Sequence, residues 1–124
     1  MARLTNVSKL KRADDPKTLQ GLLEKSGTTA LRDPYVLFDW DASEGGNFQA
    51  GYAIIYPGCR TGGHHHEDVE EVYHVVSGSG VMHIGDESFE VNSGDTWIVP
   101  LHLEHWTENL GNRPLEVFWI LVKV

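Results

Sequence analysis

A chain of 124 residues is one domain's worth, and 40% hydrophobic content with four each of Trp, Tyr and Phe is enough to bury a core without staples. A formal net charge of −8 argues against a nucleic-acid surface, and a lone cysteine, Cys59, excludes an internal disulfide framework. The longest apolar run, Val117 to Val122, is too short to cross a bilayer and the first residues lack a signal-peptide core, so a cytoplasmic protein is expected.

The charge is uneven along the chain. Residues 1–32 hold seven Lys/Arg against three Asp/Glu, whereas residues 33–124 hold three against fifteen. Such a basic leader either docks on the acidic domain, its own or a sister subunit's, or stays solvated. Within it, "DDPKTLQGLLEKSG" reads as a short helix. Asp15 can accept from the first free amides, Pro16 suits the first turn, Leu19, Leu22 and Leu23 make a stripe, and Gly27 ends it.

From Tyr35 the text changes to short runs of Val, Ile, Tyr, Phe and Trp, broken by Gly, Pro, Asn and Asp every eight to twelve residues. That pattern predicts an all-β sandwich or barrel. Strands are expected near 35–40, 48–56, 62–67, 71–77, 80–84, 87–91, 96–99, 104–109 and 115–123. Tyr52, Ile54 and Tyr56 are read as one core-facing row, with Trp97 and Val99 as another.

The segment "GGHHHEDVEEVYHVVSG", residues 62–78, carries the chemistry. In a strand alternate side chains share a face, so His64 and His66 look one way and His65 the other. Glu71 heads the next strand and can return a carboxylate to that face. His105 arrives 34 residues later, after another turn.

The spacing resembles the two motifs of the cupin superfamily. The first, G-x5-H-x-H-x4-E-x6-G, is met by Gly58, His64, His66, Glu71 and Gly78. The second, G-x5-P-x-G-x2-H-x3-N, is met by Gly94, Pro100, His105 and Asn109, with His102 standing where the family usually has glycine. The resemblance implies a double-stranded β-helix (jelly-roll) barrel over residues 35–124, preceded by an extension over 1–34. It also implies metal ligands His64, His66, Glu71 and His105; Glu70 is the weaker acid, because choosing it breaks the spacing to Gly78. Three neutral imidazoles and one carboxylate suit Fe, Mn, Co, Ni, Cu or Zn, and a six-coordinate ion keeps two positions open.

Around the ligands, Tyr73 has the parity of Glu71 and is expected to face the cavity as a substrate contact or acid, and His102 is the candidate proton carrier at the barrel mouth. His65, His74 and His83 have the opposite parity to their neighbours and should point outward, and no base is placed beside Cys59. The expected activity is that of a metal-dependent enzyme on a small oxygen-rich organic acid, keto-enol or sugar acid. It is a dioxygenase if the metal is iron, and an isomerase, lyase, cyclase or decarboxylase if it is Mn, Ni, Co or Zn. The alternative is a non-enzymatic small-molecule binder. A homodimer is expected from the size of the barrel and from the apolar run "LEVFWILVKV", which would be a hazard as an exposed edge.

Overall fold

A computed structural model describes residues 2–10 and 32–124. The predicted helix near residues 14–27 lies outside the described residues. The N-terminal stretch shows only a 3-10 turn, Val7–Lys9, capped by the Asn6 side chain.

Eight strands follow: β1 (Arg32–Phe38), β2 (Phe48–Ile55), β3 (Val69–Ser77), β4 (Ser79–Ile84), β5 (Glu87–Asn92), β6 (Thr96–Val99), β7 (His105–Glu108) and β8 (Leu115–Lys123). They form two antiparallel sheets, one in the order β1-β2-β8-β3-β6 and the other β5-β4-β7. This is the all-β, double-stranded β-helix architecture expected. Each sheet has an apolar inner face because the strands alternate. On β3, Val69, Glu71, Tyr73 and Val75 are buried while the intervening residues are more open. Between the sheets, Ile55, Val75, Val99, Leu115 and Val117 from one meet Met82, Ile84 and Val91 from the other. Each such side chain, fully buried, contributes about 1.5–3 kcal/mol.

Three expectations need correction. First, residues 62–67 are not a strand. Residues 58–64 do run along β7, with Thr61 N–H donating to Thr107 O (2.9 Å) and His64 and His105 exchanging backbone bonds. The ladder is interrupted, however, because Thr107 N–H goes to the Thr61 hydroxyl (2.9 Å) instead of a carbonyl. Second, the core-facing row of β2 is Ala53 and Ile55, not Tyr52, Ile54 and Tyr56. The two tyrosines carry hydroxyls that need partners, and they find Glu116 and Asp33. Third, β8 is no edge: it is the middle strand of the larger sheet, with both ladders satisfied by β2 and β3.

Two residues of the second motif explain themselves structurally. Asn109 is fully buried, donates to Ile55 O (2.9 Å) and Arg113 O (2.7 Å), and accepts from Gly111 N–H (3.0 Å), tying the β7–β8 connection to β2. His102 has φ +70°, the left-handed region in which glycine is the easy occupant. No helix among the described residues is long and apolar enough to cross a membrane.

Candidate metal centre

The inner faces of both sheets and the 58–64 segment bring four donors together. Glu71 projects inward from β3, His105 from the start of β7, His64 from the segment bridged to β7, and His66 from the loop leading into β3. One ligand atom from each lies within 4.8 Å of all the others. Glu71 and His105 are buried at 4% and 0% exposure, whereas His64 sits at the rim with access to solvent. Glu70 is exposed on the opposite face of β3, which leaves Glu71 as the acid of the set.

Backbone carbonyls aim the imidazoles. His64 Nδ1 lies 3.0 Å from Gly62 O, and His105 Nδ1 lies 3.0 Å from Leu103 O, so each Nε2 is the nitrogen free for the cluster. Metal-binding histidines are oriented by this kind of outer hydrogen bond. His66 Nε2 and His105 Nε2 lie 3.2 and 3.1 Å from the same Glu71 Oε1.

The donor set fits a cation. His105 faces Leu103 O and Glu71 Oε1 with its two ring nitrogens, an arrangement that without metal needs a proton shared between Nε2 and the Glu71 carboxylate. Burial would lower the His105 pKa, but its bonds to Glu71 and Leu103 outweigh burial and raise it. Burial would raise the Glu71 pKa, but the His105 and His66 hydrogen bonds prevail and lower it. His64 is lowered, first by desolvation and then by its imidazole neighbours, which favours the neutral ligand form. A divalent ion would replace the shared protons and let all three rings stay neutral.

This gives a pH signature for the metal-free chain. Glu71, with its folded pKa below 4.5, adds stability that is present above 4.5 and lost as pH falls through the lowered value. His105, with its folded pKa above 6.5, adds stability that is present below 6.5 and lost as pH rises through the raised value. Chelator-treated protein should therefore have its highest urea midpoint between about pH 4.5 and 6.5. A midpoint that keeps climbing through about pH 8 would contradict the pairing.

The cluster lies in a cavity of about 450 Å³. Tyr73 lines it as expected, buried, stacked on Trp97 (5.4 Å between ring centroids) and hydrogen-bonded to the Glu71 carboxylate. Burial and the Glu71 charge push its phenol well above the ordinary value, so it keeps its proton. His102 is exposed and does not line the cavity; what it contributes is its backbone N–H, donated to His66 O at 2.7 Å. His65, His74 and His83 point outward as read, His83 stacking on Trp106 (4.5 Å) and bonding Glu108. Desolvation raises the Cys59 thiol pKa, which argues against a thiolate nucleophile there.

The sequence reading missed the rest of the wall. Val117, Trp119 and Leu121 of β8 line the cavity, as do Arg32, Ile55, Thr61 and Thr107. The period-2 spacing of Leu115, Val117, Trp119 and Leu121 was the available signal for β8. Arg32 had none, since it stands among the leader's other basic residues.

The chain is similar to known proteins. The chain is 42% identical over 65 residues to an uncharacterized protein of Methanocaldococcus jannaschii, covering 52% of each chain. It is 32% identical over 66 residues to an oxalate-binding protein of Thermotoga maritima, covering 53% of this chain and 54% of the relative. The matches thus span about half the length of these curated relatives. Among solved structures, a predicted oxalate decarboxylase of Thermotoga maritima superposes with a TM-score of 0.71 at 25% identity, covering 75% of this chain and 81% of that one. The cupin domain family, Cupin_2, matches residues 51–121. On this match, with the two-sheet barrel and the donor set inside it, the chain belongs to the cupin family.

Proposed function

We propose that this cupin is a metal-dependent enzyme acting on a small oxygen-rich acid held at His64, His66, Glu71 and His105. The observation that carries the reading is the convergence of the four donor atoms within 4.8 Å at a cavity large enough for a metabolite. A bound divalent transition metal supplies Lewis acidity and open positions for two substrate oxygens. The protein supplies the rest. Backbone carbonyls fix the imidazoles, the apolar walls exclude water, and Tyr73 holds a proton beside Glu71 where a substrate atom can take it.

The reaction class follows the metal. Iron favours a dioxygenase; manganese, nickel, cobalt or zinc favours an isomerase, lyase, cyclase or decarboxylase. One structural neighbour, a predicted oxalate decarboxylase, supports the second branch. Elemental analysis of protein purified without added metal, run beside oxygen uptake with candidate acids, separates them. Iron with uptake selects the first, another metal without uptake the second, and a metal-free protein that stays empty on loading overturns the proposal.

A binding role without turnover is the second reading, favoured by the name of the oxalate-binding relative. The discriminating experiment is mutational. Tyr73→Phe, assayed at saturating metal because its hydroxyl also bonds Glu71, should lower turnover roughly a hundredfold or more, the usual cost of losing a general acid. His102→Ala should cost under about tenfold, since its imidazole lies off the cavity wall. If no acid turns over and both variants bind ligand like the wild type, the binding reading replaces the enzymatic one. A homodimer is also proposed, on the size of the barrel alone because β8 is paired on both sides, and a monomeric mass by light scattering at micromolar concentration would count against it.

A further inference from the structure

The register separates two charged groups along the larger sheet: Arg32 pairs with Ile55 and through it with Leu115 at the start of β8, whereas Glu71 pairs with Leu121 near its end. The Glu71 end holds the metal donors. Along the wall beside them β2 and β8 present Ile55, Val117, Trp119 and Leu121. The indole of Trp119 lies flat over Gly51, its neighbour across the sheet, where any Cβ would overlap the ring. Gly51 thus makes room for a broad aromatic surface inside the barrel. A polyhydroxylated sugar acid would leave its hydroxyls unpaired against this wall, at about 1–3 kcal/mol for each buried group. A hydrocarbon segment gains from the same contact.

Arg32 supplies the second pole. It stands across from Ile55 on the inward register of β1 and lines the cavity, the one Lys or Arg among its described lining residues. Its charge acts on the Tyr73 hydroxyl, so its field reaches into the cavity. A guanidinium has five donors, enough to hold an anion beside other partners. The charge balance agrees. Glu71 is the only acid lining the cavity among the described residues, so a dication there retains one positive charge and Arg32 adds another. Two positive poles joined by an apolar wall match a dianion with an apolar middle.

Resting on the metal-dependent reading above, we propose that the cavity takes a dicarboxylic acid with an apolar spacer, one end chelating the metal and the other held by Arg32. Oxalate, which has no spacer, can occupy only the metal end.

The test is calorimetric titration of the full chain loaded with cobalt(II), under anaerobic conditions, with oxalate, 2-oxobutanoate, 2-oxohexanoate and 2-oxohexanedioate. Affinity should rise from 2-oxobutanoate to 2-oxohexanoate by about fourfold for each methylene that meets the wall, with oxalate measured beside them as the chelator without a spacer. The terminal carboxylate should add a further tenfold or more, and Arg32→Gln should erase that last gain while leaving 2-oxohexanoate unchanged. Arg32→Lys should restore part of it. Equal affinity for 2-oxobutanoate and 2-oxohexanedioate overturns the inference, as does an Arg32→Gln loss that is equal for both six-carbon acids. Should that variant fail to fold, the wild-type series still decides. Cobalt uptake, read from its visible absorption before any acid is added, separates the two levels. No uptake overturns the metal reading and this inference together, whereas uptake without the affinity series overturns this inference alone.

Discussion

Replacing Glu71 by Gln should weaken divalent-metal binding by at least a hundredfold and leave the barrel folded. Losing an outer hydrogen-bond partner of a ligand typically costs about ten- to a hundredfold in affinity, so losing a ligand's charge should cost no less. Glu71 is the only anion of the set, and its Oε1 faces both His66 and His105. The amide keeps the volume and one acceptor for these imidazoles, so the buried position, 4% exposed, is not left hollow. Competition with a chromogenic chelator measures the affinity and circular dichroism the fold. Unchanged affinity would place the metal somewhere else.

The second large effect is structural. Gly78→Ala should destabilise the chain by about 2–5 kcal/mol, lowering the melting temperature by roughly 10 °C or more. Gly78 joins β3 to β4 with φ +87°, a conformation that costs an L side chain about 1–2 kcal/mol. Its new methyl would also overlap Pro114 O and approach Leu115 Cα to 3.0 Å. These are backbone atoms at the start of β8, and Leu115 is fully buried, so relief requires moving the central strand. Overpacking of this kind adds about 1–3 kcal/mol. Gly94→Ala is the control. Its φ is +94° but nothing lies within 4 Å of the added methyl, so it should lose only the conformational part. Equal losses in calorimetry would show that the Pro114 contact is without consequence.

These two positions show what the sequence made legible. Gly78 and the four donors were readable because a turn and a chelate need particular residue types at particular spacings, which survive as motifs. The parity of β3 was readable for the same reason: a period of two places Tyr73 with Glu71 and sends His74 outward. β2 was misread because Tyr and Ile look like core, while Ala53 and Gly51 look like filler. In the barrel the small residues face inward because Trp119 from the next strand fills the space above Gly51. The fate of residues 62–67 turned on the Thr61 hydroxyl replacing a carbonyl in the ladder, a detail no pattern of hydrophobicity encodes.

Arg32 was hidden for a different reason. Its role depends on β1 pairing with β2 so that Arg32 falls opposite Ile55, a long-range register that composition does not carry. Counted with its neighbours it is one more positive charge in a basic leader. Placed on the sheet it is a cationic group lining the same cavity as the four donors.

The most direct measurement is anomalous X-ray diffraction from crystals of the chain loaded with cobalt or zinc. A single strong peak should lie about 2.1 Å from the Nε2 atoms of His64, His66 and His105 and from a carboxylate oxygen of Glu71. A peak held by other residues, or none after loading above neutral pH, would contradict the account.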